Sequence, residues 1–341
     1  MFKSGFGALK HGLSGLLVVT AVLLAVSKPA VASDEGQAEY WLERLGPALN
    51  MTSYRGVFVY ARGDRVHSMR IAHRYNEGMI EERLVLQDGG SGEIVRKGMN
   101  VVCVLPEQGR VKLDQIIPSG PFAEAFSNQL MPLGRWYHSE LVGEDRVAGY
   151  ETVIIALAAR DAYRYSHRLW LEKSTGLLVK SNVGEPGGKV LEHFQFTSLD
   201  ITDDISDSEF EIRTEGREVA RKLDDPAGNP GLGMPPMEGW ELGWHPEGFV
   251  PAAAPRSGKG KAVAFSDGVA AFSVFVEPER KVRMPVGASR IGATTVYMRE
   301  LEAGGARFMV TVVGEVPPKT ARQVAESVQV DDALALNSAD Q

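Results

Sequence analysis

Histidine and cysteine are the side chains of this sequence best suited to metal binding or nucleophilic chemistry, and their spacing supports neither. His67 and His73 fall on one face of a predicted strand, with His167 on another strand. Six residues along a strand place two rings about 20 Å apart, too far to share one ion. Cys103 lies in the apolar run 101–105, which predicts a buried and unreactive thiol. We therefore expect packing roles for these residues.

Longer catalytic motifs are also missing from the sequence. There is no His-Glu-x-x-His, no Gly-x-Ser-x-Gly and no P-loop. Residues 258–261 resemble a phosphate loop but lack its spacing and its Ser/Thr, and they read as an exposed basic loop. The acidic residues of 200–209 lack the glycine and terminal Glu of a calcium loop, so we expect them to cap a short helix before Phe210. The sequence thus predicts no enzyme, no cofactor and no metal site.

The first residues have the pattern of a secretory signal peptide. Lys3 and Lys10 precede an apolar run at 13–26, and Ala30 and Ala32 form a small-x-small cleavage site. The run is shorter than the roughly 20 residues that cross a bilayer. We expect residues 1–32 to be removed and the mature protein to be exported.

Composition narrows the classes of partner. The chain carries a net charge of −7, which becomes −10 without residues 1–32, because these hold three lysines and no acids. This balance argues against nucleic acid and against broad attachment to an anionic membrane. With one cysteine the chain forms no internal disulfide, so its stability has to come from packing.

Periodicity predicts one helix followed by a long antiparallel sheet. Ala38, Trp41, Leu42 and Leu45 form a helical stripe, which Gly46-Pro47 breaks or kinks. From residue 54 to 196 the period changes to two, with turn residues at short intervals. Residues 121–126 read as a helix crossing the sheet.

Several predicted strands are apolar on both faces. Val57 and Val59 oppose Phe58 and Tyr60, and residues 101–105 have no polar side. Such a sheet either wraps around a cavity or forms a solid core under helices. The pattern leaves both alternatives open.

The last third of the chain reads as a second domain. Residues 216–236 are rich in proline and glycine, as in an interdomain linker. Residues 237–330 predict an antiparallel sheet and one helix at 318–328, whose apolar stripe contains Ala321, Val324, Ala325 and Val328. The acidic tail 331–341 is predicted to be disordered. The fold class is therefore α+β.

Ordered segments along nearly the whole mature chain resemble the MucB/RseB family of periplasmic regulators of the envelope-stress sigma-E factor. In the first domain these are 54–60, 163–171, 175–181 and 190–197, and in the second 244–249, 265–268, 272–277 and 311–317. The resemblance implies that residues 33–215 form a LolA/LolB-like domain. Its fold is a half-open antiparallel β-barrel with plug helices, followed by the smaller domain.

The same resemblance implies a function. A protein of this family is a periplasmic negative regulator that binds the periplasmic part of a membrane-spanning anti-sigma factor. It shields that segment from the site-one protease and is released by lipid or lipopolysaccharide. The competing hypothesis is a periplasmic lipid or lipoprotein carrier of the LolA/LolB type, against which the second domain argues. Whether the chain forms a homodimer stays open.

Candidate site residues fall into three groups. The apolar residues expected to line a lipid cavity are Phe58, Tyr60, Met69 and Ile71. The basic residues expected to hold anionic groups at its rim are Arg62, Arg65, Arg70 and Arg74. The aromatic residues expected to bind the partner are Trp240, Trp244, Phe249, Phe272 and Phe275. We expect the chain from Met237 onward to be necessary for capture of the anti-sigma segment.

Overall fold

The computed structural model describes residues 34–88, 92–98, 100–105, 133–222, 239–252, 261–278 and 285–331. Within these ranges the chain folds into a large antiparallel sheet with one helix and a smaller antiparallel sheet with another. The predicted α+β class is confirmed. The predicted signal peptide 1–32 and the predicted helix 121–126 lie outside the described residues, as does nearly all of the acidic tail.

The large sheet has eleven strands in the order β11-β5-β4-β3-β2-β1-β10-β9-β8-β7-β6. Neighbouring strands in this order pair antiparallel, and β6 and β11 stay at opposite edges, so the sheet does not close. This agrees with the half-open barrel implied by the resemblance. The strands are β1 Tyr54–Arg62, β2 Arg65–Asn76, β3 Met79–Leu86, β4 Glu93–Lys97, β5 Asn100–Leu105, β6 Tyr137–Val147, β7 Tyr150–Ala159, β8 Ser166–Glu172, β9 Leu178–Gly184, β10 Val190–Ile201 and β11 Arg217–Lys222.

The position of β11 corrects the predicted linker. Residues 217–222 belong to the segment 216–236, yet they pair with β5 along their whole length, from Arg217 with Leu105 to Lys222 with Asn100. In the sequence this segment adjoins the proline- and glycine-rich run at 226–236, and the linker prediction took in both. The proline- and glycine-rich residues that follow lie outside the described ranges.

Helix α1, Asp34–Met51, packs on the large sheet against β2, β6 and β9. It continues through Pro47, so of the break or kink expected at Gly46-Pro47 the break is wrong. The side-chain amide of Asn50 donates to the carbonyl of Gly46, the residue before the proline, at 2.8 Å. Among the described residues, no helix is both long enough and apolar enough to span a membrane.

The smaller unit contains a six-stranded sheet in the order β13-β14-β15-β18-β17-β16 and a separate pair, β12 with β19. Helix α2, Pro318–Glu326, packs against β16, β17 and β18. Ala321, Val324 and Ala325 of α2 are fully buried, as the predicted stripe required, while Val328 begins β19 instead of ending the helix. The strands are β12 Trp240–Leu242, β13 Val250–Ala252, β14 Lys261–Ser266, β15 Ala271–Pro278, β16 Gly287–Ile291, β17 Thr294–Ala303, β18 Ala306–Gly314 and β19 Val328–Val330.

Candidate functional site

The four apolar candidates lie together on one face of the large sheet. Phe58 pairs with Met69 across β1 and β2 and with Phe196 across β1 and β10, while Ile71 pairs with Gly56. Phe58, Tyr60, Met69 and Ile71 are 5–9% exposed and belong to one hydrophobic cluster. We call this surface, with Phe194 and Phe196 from β10, the apolar face.

A local irregularity in β10 changes which of its side chains join this cluster. Val57 pairs with Ser198 and Phe58 with Phe196, so Thr197 is an extra residue of β10, and the alternation of β10 changes there, whereas β1 pairs with β2 without a shift. Just before the shift, Gly56 lies so close to β10 that a Cβ there would be 2.4 Å from the carbonyl oxygen of Ser198. Glycine is therefore required for the two strands to approach.

Helix α1 covers part of the apolar face. Ala38, Leu42 and Leu45 of α1 belong to the same hydrophobic cluster as the sheet residues. Arg44 ties the helix to the turn between β8 and β9, because its Nη2 donates to the carbonyl of Ser174 at 2.7 Å. These contacts bury part of the apolar face under α1.

The four candidate arginines divide between the two faces of the sheet. Arg62 and Arg65 are register partners on β1 and β2. They lie two residues beyond the pair Tyr60 and His67, so they are on the same face of the sheet as the apolar face, at its end. Arg70 lies on the opposite face. Arg74 also lies there and is engaged: it pairs with Glu81, with Asp207 at 2.7 Å and with the carbonyl of Ile205 at 2.7 Å. The acidic segment near Phe210 thus holds Arg74 and makes no side-chain cap to its one-turn helix.

A polar cavity of about 200 Å³ lies on the opposite face. Arg55, Arg70 and Arg83 line it, together with Asp200 and Glu209. Arg55 is paired with Asp200 at 2.9 Å. Arg83 is paired with the buried carboxylate of Glu93, so most of the charge in this cavity is already balanced within the chain.

A buried ion pair joins the large and small sheets. Arg164, just before β8, donates from Nη1 to Oδ2 of Asp267 at 2.6 Å, and both side chains are fully buried. The hydroxyl of Tyr137 donates to the same oxygen at 3.0 Å. Nη2 of Arg164 also donates to the carbonyl of Glu247 at 2.6 Å. We call this contact the Arg164 joint.

Aromatic rings enclose the Arg164 joint. The guanidinium carbon of Arg164 lies 5.1 Å from the ring centre of Phe249 and 5.4 Å from that of Trp136. Beside it, Tyr163 and Trp244 pack edge to face with their ring centres 5.1 Å apart. Such contacts strengthen an ion pair by excluding water.

The five aromatic candidates for partner binding therefore have different environments. Trp240, Phe249 and Phe272 are 0–3% exposed and pack in the core of the small sheet. Trp244 and Phe275 are partly exposed. Only these two of the five present surface to a partner in this conformation.

A second joint connects the end of the apolar face to the small sheet. Glu192 on β10 is 3% exposed and accepts from the hydroxyl of Tyr60 at 2.5 Å. It also accepts from the backbone N–H of Ala293 at 2.9 Å. Arg62 lies 3.3 Å from the same carboxylate and donates to the carbonyl of Ile291 at 3.1 Å. We call this contact the Glu192 joint.

The histidines occupy separate places. His73 lies 3.3 Å from a carboxylate oxygen of Glu82 and stacks on Tyr54. His167 is buried beside Tyr137, neither ring nitrogen has a hydrogen-bond partner among the described residues, and burial lowers its pKa to about 4. Within the described ranges no three potential ligand side chains converge on one point.

Sequence reasoning missed both joints. Arg164, Asp267 and Glu192 are charged residues that become buried only when distant segments meet. Single positions carry no periodic signal, although burial of a charge requires a partner. The nearest hint was Arg164 itself, which stands between the aromatic Tyr163 and Tyr165 just before β8.

Two family models match the chain over the two units described above. Residues 37–214 match the MucB/RseB N-terminal domain, and residues 235–329 match the MucB/RseB C-terminal domain. The chain belongs to the MucB/RseB family. The resemblance noted in the sequence is thereby confirmed.

Relatives agree along nearly the full length. The sigma factor AlgU regulatory protein MucB of Pseudomonas aeruginosa is 33% identical over 336 residues, covering 94% of this chain and 98% of its own. The sigma-E factor regulatory protein RseB of Salmonella typhimurium is 26% identical, covering 88% and 93%.

Solved MucB structures have the same fold. The Pseudomonas aeruginosa MucA/MucB complex matches with a TM-score of 0.67 and 31% identity, covering 86% of this chain and 99% of that chain. MucB in complex with MucA(peri) gives a TM-score of 0.66 and 32% identity.

Proposed function

We propose that this protein is a periplasmic negative regulator of a sigma-E-type envelope stress response. In this proposal it binds the periplasmic part of a membrane-spanning anti-sigma factor and shields that segment from the site-one protease. The observation that carries the proposal is family membership across both domains, together with the complexes that Pseudomonas aeruginosa MucB forms with MucA. The signal-peptide pattern of residues 1–32 supports the periplasmic location.

Regulation by this protein would work through occlusion. A bound regulator needs only to cover an extended, cleavable segment, and no reacting group is required. At a free concentration one hundredfold above the dissociation constant, the exposed fraction falls about a hundredfold, which corresponds to roughly 2.7 kcal/mol. The only cysteine, Cys103, is 3% exposed, which supports a role in packing.

The small domain is proposed as the primary element that captures the partner. Trp244 and Phe275 combine large apolar area with partial exposure, as interface anchors do. Trp244 also contacts Tyr163 of the large domain, so a partner that binds there would touch the junction of both domains.

Lipid or lipopolysaccharide is proposed to release the partner by binding at the apolar face. Each buried methylene contributes about 0.8 kcal/mol, so one acyl chain can compensate for separation of α1 from the sheet. Phe58, Tyr60, Met69 and Ile71 stay the candidates for this contact. Of the four arginines, Arg62 and Arg65 are on the matching face.

The proposal is tested by mixing the anti-sigma periplasmic segment with its protease and increasing amounts of this protein. Cleavage should slow in a saturable, stoichiometric way, and added lipid should restore it. The full chain should protect, whereas removal of residues 237–341 should abolish capture. A lipid carrier would give no protection and would pass lipid to an acceptor in vitro.

A further inference from the structure

The turn between β16 and β17 in the small domain is inserted at the end of the apolar face. Its residues 291–293 contact the large sheet through the Glu192 joint, in which Arg62 holds the carbonyl of Ile291 and Glu192 holds the amide of Ala293. The two holding side chains are register partners on adjacent strands. Each therefore fixes one end of a three-residue turn.

Gly292, at the tip of this turn, is enclosed by the same two side chains. Its φ of +62° lies in the left-handed region that favours glycine. A Cβ at this position would be 2.6 Å from Cγ of Arg62 and 2.7 Å from a carboxylate oxygen of Glu192. The turn thus fits between Arg62 and Glu192 with no room for one methyl group.

The enclosed turn adjoins the proposed lipid site. Tyr60 belongs to the hydrophobic cluster of the apolar face, and its hydroxyl donates to the same Glu192 that binds Ala293. Arg62 is the next residue of β1 on this face after Tyr60, and Arg65 is its register partner on β2. The apolar face therefore ends in a polar patch that the small domain covers.

Charge at this patch favours an anion. Arg62 and Arg65 supply two positive charges, and Glu192 supplies one negative charge. Burial, and then the negative charge of Glu192, raises the pKa of the neighbouring Glu315 to about 8, so this carboxyl is mostly protonated at neutral pH. Arg65 is exposed and has no ion pair within the described part of the chain.

We propose that Arg62 and Arg65 form a head-group site for an anionic amphiphile, and that the 291–293 turn is the internal competitor for this site. The acyl chain of the amphiphile packs against the apolar face beside Tyr60. Its anionic group displaces the carbonyl of Ile291 as the hydrogen-bond partner of Arg62. The turn then leaves, which releases the Glu192 joint between the domains. This inference rests on the proposed lipid binding and assigns its coupling to the small domain.

A pair of glycine variants separates the turn from general backbone strain. Gly292→Val should force the turn out, because a side chain there meets Arg62 and Glu192. Gly305→Val is the matched control, since Gly305 lies in the turn between β17 and β18 with a φ of +78°, and a Cβ added there would have nothing within 4 Å. Both variants place valine at a positive φ, but only the first disturbs the joint.

Binding is measured on the full chain by titration calorimetry with dodecyl phosphate, and with dodecyl maltoside as the uncharged probe. Gly292→Val should bind dodecyl phosphate about tenfold more tightly than Gly305→Val, because the competing turn has been removed. In the wild type, dodecyl phosphate should accelerate hydrogen exchange of the Ala293 amide. Arg62→Gln should lower the affinity ratio of phosphate to maltoside about tenfold, whereas Arg70→Gln, on the opposite face, should leave it unchanged.

The outcomes distinguish this inference from the proposed function. Binding of dodecyl phosphate with equal affinity in the two glycine variants, and with unchanged exchange at Ala293, would overturn the competition and leave the apolar site standing. Failure of the wild type to bind either amphiphile would overturn lipid binding itself. If Gly292→Val does not fold, the test rests on the hydrogen exchange of Ala293 and on the phosphate-to-maltoside affinity ratio of Arg62→Gln. An unchanged exchange rate together with an unchanged affinity ratio would reject the inference.

Discussion

Arg164 and Asp267 form an ion pair between the two domains in which neither side chain is exposed to solvent, with Nη1 and Oδ2 2.6 Å apart. Removing one partner of a buried pair leaves an uncompensated charge, which typically destabilises by about 3–5 kcal/mol. Asp267 also accepts from the backbone amides of Val269 and Ala270, so it organises the small domain as well as the joint. The pair therefore couples domain folding to domain contact.

We predict that Arg164→Met destabilises the protein by about 3–5 kcal/mol, and by clearly less in an Asp267→Asn background, where no buried charge is left. Urea unfolding of the four proteins at pH 7 measures the coupling. The exposed pair Arg146 and Glu151, 3.2 Å apart and 65% exposed on each side, is the control and should couple by less than about 1 kcal/mol. Equal coupling in both pairs would contradict a structural role for the buried one.

The pH dependence of stability should contain a contribution from Glu315. Its folded pKa is raised from 4.5 to about 8, first by burial and then by Glu192. Between these values the folded state holds a proton that the unfolded state has lost, so stability falls as pH rises from about 4.5 to 8. Below that range both states are protonated and the contribution is constant.

Glu315→Gln removes this titration. The variant should have a flatter profile of melting temperature against pH, and its advantage over the wild type should grow from pH 5 to pH 8.5. Arg62 and Glu192 are the charged groups that act on Glu315, and both stay in the variant. A wild-type minus variant difference that is constant with pH would show that Glu315 titrates normally.

Polar replacement at the apolar face should weaken lipid binding. Phe58→Ser and Met69→Gln each place a polar group in the hydrophobic cluster. We expect at least about a tenfold loss of affinity for an acyl chain, because each methylene of the chain that loses its apolar contact costs about 0.8 kcal/mol and two such methylenes are enough. Val66→Gln, on the same strand as Met69 but 63% exposed, is the matched control. Circular dichroism should first establish that each variant is folded. Unchanged binding in both core variants would indicate a solid core without a ligand.

Cys103 should be dispensable for protection of the anti-sigma segment. The thiol is buried on β5, where it contributes to packing, so Cys103→Ser should protect the segment from protease as well as the wild type. A stability loss of about 1 kcal/mol is expected from burying a hydroxyl. Inhibition that grows with incubation time, alters the partner covalently or disappears in this variant would identify an enzyme instead.

Local sequence was sufficient for the central strands of the large sheet and for α2 of the small domain. Alternation of apolar and polar residues predicted the strands that contain Phe58 and Met69. Successive side chains of a strand point to opposite faces of the sheet, so every second residue faces the core. The stripe Ala321, Val324 and Ala325 predicted α2 for the equivalent reason in a helix. β11 was missed because an edge strand gains its hydrogen bonds from β5, far away in the chain.

The sequence by itself also determined the family, since many ordered segments agree even where no single motif is specific. Tertiary structure alone decided the joints between the domains and the division of the four arginines. Arg62 was expected at the rim, but its contact with Ile291, 229 residues away, depends on how two sheets meet. Periodicity reports which face of a strand is buried, whereas burial of Arg164 with Asp267 follows from the packing of separate segments, and no local pattern records that packing.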